Sequence, residues 1–310
     1  MEEPARIGIV DMGSNAIRFL IAEGCSDEHR VLETHRQPVR LGDAVFRTGD
    51  VPDSAIADTV AAFEQFRDRC DQLGVGRRRA VATSAMRNAR NRARVLDRVL
   101  EASGFAIEVI SGVEEARLLM LGIEREVDLS AGRSVLLDVG GGSAEVVIID
   151  EGDLVSATSY PLGALRMLQQ FREEDGARLA SRVTEHLKLH DRQITDLLGD
   201  APAARFVAAG GNIQSLFELV RLRSGTLRVD SVDACAIEDL GEEVRRVASM
   251  SVTERMARHG LRADRADTIV PAGVVYHHLG RLVGAEHVLA PRAGVKEGLL
   301  AATLQPDHER

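Results

Sequence analysis

Asp11, Gly13, Ser14 and Asn15 share one short loop between two apolar runs in IVDMGSNAIRFLIAEG, residues 9–24. Residues 136–152, LLDVGGGSAEVVIIDEG, repeat the arrangement, with Asp138 against Asp11, Gly140 against Gly13, and Ala144 against Ala16 after one extra residue in the second loop. The closing Glu-Gly pairs at 23–24 and 151–152 match as well. Such loops suit a phosphate. Gly13, Gly140, Gly141 and Gly142 let the backbone approach an anion, successive N–H groups form a concave nest, and Ser14, Asn15 and Ser143 add neutral donors. One aspartate in a loop reads as an Asx turn. Two at the same loop position point to a divalent cation, because a carboxylate repels a phosphate unless a cation stands between them. Mg²⁺, held by one or two carboxylates, waters and phosphate oxygens, meets that need.

Other residues offer chemistry less specifically. Glu114 and Glu115 are adjacent on a helical run and point about 100° apart, so only one can aim into a site; both also suit a helix N-terminus as plain favourable charge. Basic charge is almost all arginine, since lysine occurs only at 188 and 296. Arg90, Arg92 and Arg94 read as a solvated face. Arg87 follows an expected strand end, where α/β proteins bind ligands. FVAAGGNIQSL, residues 206–216, sets Gly210 and Gly211 between a strand and a helix, as either an anion site or a tight turn. His277 and His278 are neighbours on a helical run and point apart, which argues against a metal pair. Cys25, Cys70 and Cys235 form no CxxC clip or disulfide framework and read as buried small hydrophobes.

Alternating strand and helix signals predict an α/β protein. Strands are expected at 6–10, 16–22, 31–40, 80–84 and 106–110. Helices are expected from the Pro52-Asp53-Ser54 start to Gly74, and at 89–103, 113–124, 177–198, 234–248 and 295–304. REVDLSAGR, residues 125–133, breaks the pattern and reads as a domain boundary. Because each half opens with the same hairpin, the chain reads as a duplicated domain. Its 310 residues with 45% hydrophobic content suit two globular domains. No apolar run reaches a spanning helix and residues 1–6 lack a signal-peptide core, so the expectation is a cytoplasmic protein without a membrane partner. A net charge of −9 gives no global attraction for nucleic acid, and an anionic ligand needs a local field.

Two glycine loops on a duplicated α/β core resemble the actin-like ATPase superfamily. Within it, VISGVEEARLLMLGI (109–123) is similar to the signature of the exopolyphosphatase and guanosine pentaphosphate phosphatase (Ppx/GppA) family. AVATSAMRNARN (80–91), LLDVGGGSAEVV (136–147), YPLGALRM (160–167), RADTIVPAGVVYHHL (265–279) and VKEGLLAATL (295–304) continue the resemblance in order. The resemblance implies two actin-like, ribonuclease H-like domains facing an interdomain cleft: residues 1–126, with 294–310 packing back on them, and 127–293. It places the catalytic carboxylate at Glu115, which would orient and deprotonate the attacking water. Mg²⁺ or Mn²⁺ would sit at Asp138 with Glu145, and Asp11 through water, while Arg87 clamps a phosphate. Asn212 departs from the small hydroxyl residue of many relatives, and Ala144 from a common threonine.

The implied reaction is in-line hydrolysis of a terminal phosphoanhydride of inorganic polyphosphate or of guanosine pentaphosphate, by a homodimer. Longer relatives carry further helical domains, so a two-domain chain is expected to act on short polymers or to release product often. Two other classes stay open. A superfamily kinase would need an acceptor-sugar domain, for which no segment is evident, and a silent phosphate or nucleotide sensor would be marked by loss of the base or the metal carboxylates.

Overall fold

The computed structural model describes residues 5–24, 28–198, 203–229 and 231–304. Cys25 lies outside them. Two compact units make up the chain: residues 1–122 with 295–310, and 123–294.

In the first unit, β1 (Ala5–Met12), β2 (Ile17–Gly24) and β3 (His29–Gln37) form an antiparallel meander. Then come α1 (Leu41–Thr48), α2 (Asp53–Gln72), β4 (Arg77–Ala82), α3 (Ser84–Asn88), α4 (Arg92–Ser103), β5 (Ile107–Val109) and α5 (Gly112–Ile123). The sheet order is β3-β2-β1-β4-β5, with β4 parallel to β1 and β5 parallel to β4. Strand β1 alternates Val10 and Met12 with Ile7 and Ile9, all buried, because a central strand covered by helices on both faces is apolar on both. Val10, Met12 and Phe19 join Phe63 and Phe66 of α2 and Val95 and Val99 of α4 in one core. Phe19 stacks on Phe66 at 4.4 Å between ring centroids.

The second unit repeats this order. Its elements are β6 (Arg133–Val139), β7 (Ala144–Asp150), β8 (Asp153–Tyr160), α6 (Ala164–Gln170), α7 (Gly176–Leu187), α8 (Asp191–Leu198), β9 (Arg205–Ala209) and α9 (Gly211–Ser224). They continue with β10 (Leu227–Val229), β11 (Val232–Ala236), α10 (Ile237–Ala248), α11 (Val252–His259), α12 (Ala263–Ala266), α13 (Ile269–Leu282) and β12 (His287–Leu289). In the sheet order β10-β11-β12-β9-β6-β7-β8, the run β8-β7-β6-β9-β12 reproduces β3-β2-β1-β4-β5, again with the β6-β9 and β9-β12 pairs parallel. The β10-β11 pair is added at one edge. The last helix, α14 (Val295–Leu304), packs on β1 and β2 of the first unit. It crosses α5 so closely that a Cβ on Gly298 would lie 1.7 Å from the Leu118 carbonyl oxygen.

Some expected elements differ in the fold. Helix α1 replaces the end of the strand expected at 31–40: its N-cap, Arg40, takes a left-handed conformation, and the N–H groups of Arg40 and Gly42 donate to the carbonyls of Asn15 and Ser14. That helix is set by a tertiary contact, which periodicity does not report. The helix expected at 89–103 begins only at Arg92, as α4, and an unexpected short helix, α3, precedes it, parted from it by an extended Ala89. The Asn91 side chain, which accepts from the Val51 N–H and donates to the Val51 carbonyl, fixes the start of α4. The run 177–198 likewise divides into α7 and α8, and 234–236 belong to β11 rather than to a helix.

Candidate active site

The hydrogen-bond ladders align the two glycine loops. Asp11 faces Arg18 across β1-β2, and Asp138 faces Glu145 across β6-β7. Each loop closes with the same turn: Gly13 N–H donates to the Ala16 carbonyl at 3.2 Å, and Gly140 N–H to the Ser143 carbonyl at 3.0 Å. The loops therefore have equal length, with Ser143, not Ala144, in the place of Ala16. The extra residue inferred from sequence belongs further along, past this turn. One consequence is chemical: Arg18 occupies in the first hairpin the position that Glu145 occupies in the second.

In both loops a following helix takes up the carbonyl oxygens. The Ser14 and Asn15 carbonyls accept from the start of α1 as described above. In the second unit the Gly140 carbonyl accepts from Ala164, and the Gly141 carbonyl accepts from Leu165 and Arg166 at the start of α6. The Gly142 carbonyl accepts from Arg166 Nε at 2.7 Å. Turning the carbonyls toward a helix orients the remaining peptide dipoles of the loop with N–H outward, the arrangement of an anion nest.

Electrostatics differ between the loops. Arg18 Nη1 donates to Asp11 Oδ2 at 2.9 Å, and Asp11 is buried. Asp11 thus has a cationic partner in the protein itself, which removes the reason for requiring a metal beside it. Ser14 is also buried, and its Oγ accepts from the Ala85 N–H at 3.1 Å, bracing the loop against the first turn of α3. Asn15 is only partly buried. In the second loop two carboxylates are cross-strand partners: Glu145 is fully buried and accepts from Ser159 Oγ at 2.8 Å, while Asp138 is partly exposed.

Gly210 and Gly211 join this second group. Gly210, at φ 100°, caps α9, and a Cβ there would meet Asp138 Oδ1 at 2.6 Å and the Tyr276 hydroxyl at 3.0 Å. Only glycine allows that approach at such a φ. Tyr276 donates to the Ala209 carbonyl at 2.5 Å, holding the strand end under the loop. Gly211 lies against the guanidinium of the buried Arg265. Asn212 is buried, and its Oδ1 accepts from Thr268 Oγ1 at 3.4 Å.

Glu114 and Glu115 diverge as neighbouring helical positions must. Glu114 takes both Nε and Nη2 of Arg117 at 2.8 Å, and that pairing holds its carboxyl below the usual range. Glu115 is buried, and its Oε2 accepts from Arg87 Nη1 at 2.7 Å; the same nitrogen donates to the Ile110 carbonyl at 3.1 Å. The first unit thus joins Arg87 to Glu115. His278 Nε2 lies 2.6 Å from Asp191, while His277 packs toward α10, so the two histidines do point apart. Among the described residues no three His, Cys, Asp or Glu side chains assemble into a metal site. Asp138 and Glu145 by themselves fit Mg²⁺, which completes its octahedron with waters and phosphate oxygens around one or two carboxylates.

Sequence reading missed Arg18, Arg166, Arg265 and Tyr276. Arg18 had a signal, its place opposite Asp11, which the misplaced gap hid.

Two copies of one α/β topology, each opening with an Asp-x-Gly hairpin, define an actin-like, phosphate-handling fold. The chain belongs to the Ppx/GppA phosphatase family, whose model matches residues 20–306. It is 29% identical to Exopolyphosphatase 1 of Mycobacterium leprae, over 97% of this chain and 90% of that protein. It is 31% identical to Exopolyphosphatase 2 of Mycobacterium tuberculosis, over 94% and 93%. The crystal structure of an exopolyphosphatase from Cytophaga hutchinsonii matches with a TM-score of 0.86 at 25% identity, covering 96% of this chain and 97% of that one. An Aquifex aeolicus family member matches with a TM-score of 0.81 at 22% identity, covering 99% and 100%. No helix among the described residues is long and apolar enough to cross a membrane.

Proposed function

We propose that this protein is an exopolyphosphatase, hydrolysing terminal phosphoanhydride bonds of inorganic polyphosphate with release of phosphate. The observation that carries the reading is the buried Glu115 beside Arg87, a carboxylate and a cation joined next to the strand ends of an actin-like unit. Exopolyphosphatase relatives align over more than nine-tenths of the chain, which supports polyphosphate as the substrate.

In this reading Glu115 is the general base that orients the attacking water and takes its proton. Arg87, now bonded to Glu115, exchanges that partner for a substrate phosphate. Gly13, Ser14 and Asn15 bind one phosphate in a loop whose aspartate Arg18 already neutralises. Gly140, Gly141, Gly142 and Ser143 bind another, with Gly210 and Gly211 as a further anion contact. Asp138 and Glu145 would hold Mg²⁺ or Mn²⁺, which supplies charge neutralisation on phosphoryl oxygens. Asp11 takes no metal role here, because Arg18 meets the need. In-line transfer asks for positioning and charge stabilisation, and these groups provide both without a covalent step.

Guanosine pentaphosphate is the second substrate reading, favoured by the family to which the chain belongs. We further propose a cytoplasmic homodimer that binds no nucleic acid; the net charge of −9 supports the last point. The test is phosphate release from polyphosphates of defined length, with and without chelation of divalent cations, for the wild type and for Asp138→Asn. The reading expects release that chelation stops, and a loss of about 10²-fold or more in the variant. Unchanged release in either arm would overturn the assignment of the cation to Asp138.

A further inference from the structure

We propose that the second unit carries a binding site, separate from the phosphate-handling residues, for an aliphatic carboxylate. A cavity of about 780 Å³ opens between α7, α10 and α13. Pockets of some 300–1,000 Å³ suit a drug-sized ligand. The walls are aliphatic: Ala177 and Ala180 from α7, Val244 and Ala248 from α10, and Val274 and Leu282 from α13. No Phe, Tyr or Trp lines it, so it offers no platform for a nucleobase, whereas small and branched aliphatic side chains accept a flexible hydrocarbon chain. An apolar ligand body follows from this lining.

The polar groups determine the other end of the ligand. Arg245 and Arg281 line the same cavity, and no carboxylate lines it with them. Arg245 is exposed and makes no ion pair among the described residues. Arg281 pairs with Glu238 at 3.2 Å, but both side chains are mostly exposed, and such a pair is worth little and exchanges readily. His277 Nε2 is buried at the wall and has no hydrogen-bond partner. Burial keeps this imidazole below its usual pKa, hence neutral at neutral pH, so the positive charge at the cavity comes from the arginines. It rests against Gly241, where a Cβ would come within 2.4 Å of Nε2, so only glycine lets the ring pack on α10 at this wall. An apolar wall with two guanidinium groups at it is complementary to a hydrocarbon chain ending in a single carboxylate.

The test measures binding directly and does not depend on the enzymatic reading. Dodecanoate and dodecan-1-ol are titrated by calorimetry into the full-length protein, its Ala180→Phe variant, which fills the cavity, and its Arg245→Gln variant, changed at an exposed position. Circular dichroism and thermal melting check the fold of each. Saturable dodecanoate binding tighter than about 1 mM is expected, weakened about tenfold or more by Ala180→Phe and about fivefold by Arg245→Gln, with the alcohol insensitive to the second change. No saturable binding, or equal binding to Ala180→Phe, would overturn the site. Equal affinities for acid and alcohol, with no effect of Arg245→Gln, would overturn the carboxylate. If Ala180→Phe fails to fold, the Arg245→Gln comparison alone decides.

Discussion

Two residues carry opposite charge at one position of a repeated hairpin. Arg18 neutralises Asp11 inside the first loop, whereas Glu145 joins Asp138 in the second and concentrates negative charge there. The cation proposed above is accordingly assigned to the carboxylate pair of the second loop. Glu115→Gln keeps the shape of the proposed base and removes its proton-accepting charge; kcat for phosphate release should fall about 10²- to 10⁴-fold with KM changed little, as steady-state kinetics would show. An unchanged kcat would remove Glu115 from the role of base. Arg18→Gln strands the buried Asp11 carboxylate, so KM should rise and stability should drop by about 1–3 kcal/mol in urea unfolding at neutral pH. Much of this was legible beforehand: the Glu-Glu pair, both glycine loops and Arg87 stand out by residue type and spacing. Arg18 was not, because apolar strands align equally well with a gap in either place, and only the hydrogen-bond ladder tells them apart.

Among the elements, sequence served best where burial follows a period. Strand β1 and helix α2 were expected from their apolar patterns and form as such. Helix α1 was missed because its start depends on carbonyls supplied by residues 14 and 15, and α4 was begun three residues early because Asn91 acts on Val51, forty positions away. Close crossings are equally silent in a pattern of hydrophobicity. Gly298 lets α14 lie on α5 against the Leu118 carbonyl, and any side chain there must move backbone. Gly298→Ala should cost about 1–3 kcal/mol or more, seen as a lower urea midpoint with an unchanged slope. Gly210→Ala adds a Cβ against Asp138 and Tyr276 at an unfavourable φ, and it should cut phosphate release more than it lowers the melting temperature.

Over the whole molecule, duplication explains why one motif appears twice and why the sheets share a five-strand order. The second unit also holds three histidines whose protonation burial opposes. His186, His259 and His277 are each kept below the ordinary 6.5, chiefly by burial. In the folded state they stay neutral where the unfolded chain takes up protons, so their contribution is complete above about pH 6.5 and declines as the pH falls below it. The melting temperature should therefore drop between about pH 7 and 5.5, and His277→Gln should reduce that drop. One measurement tests the proposed activity most directly. Phosphate release is followed with Mg²⁺ from inorganic polyphosphate, guanosine pentaphosphate and ATP in parallel. Rapid release from polyphosphate, little from ATP, and loss of the polyphosphate activity in Glu115→Gln are expected. Release from none of the three, or ATP consumption that requires a second acceptor, would contradict the proposed activity.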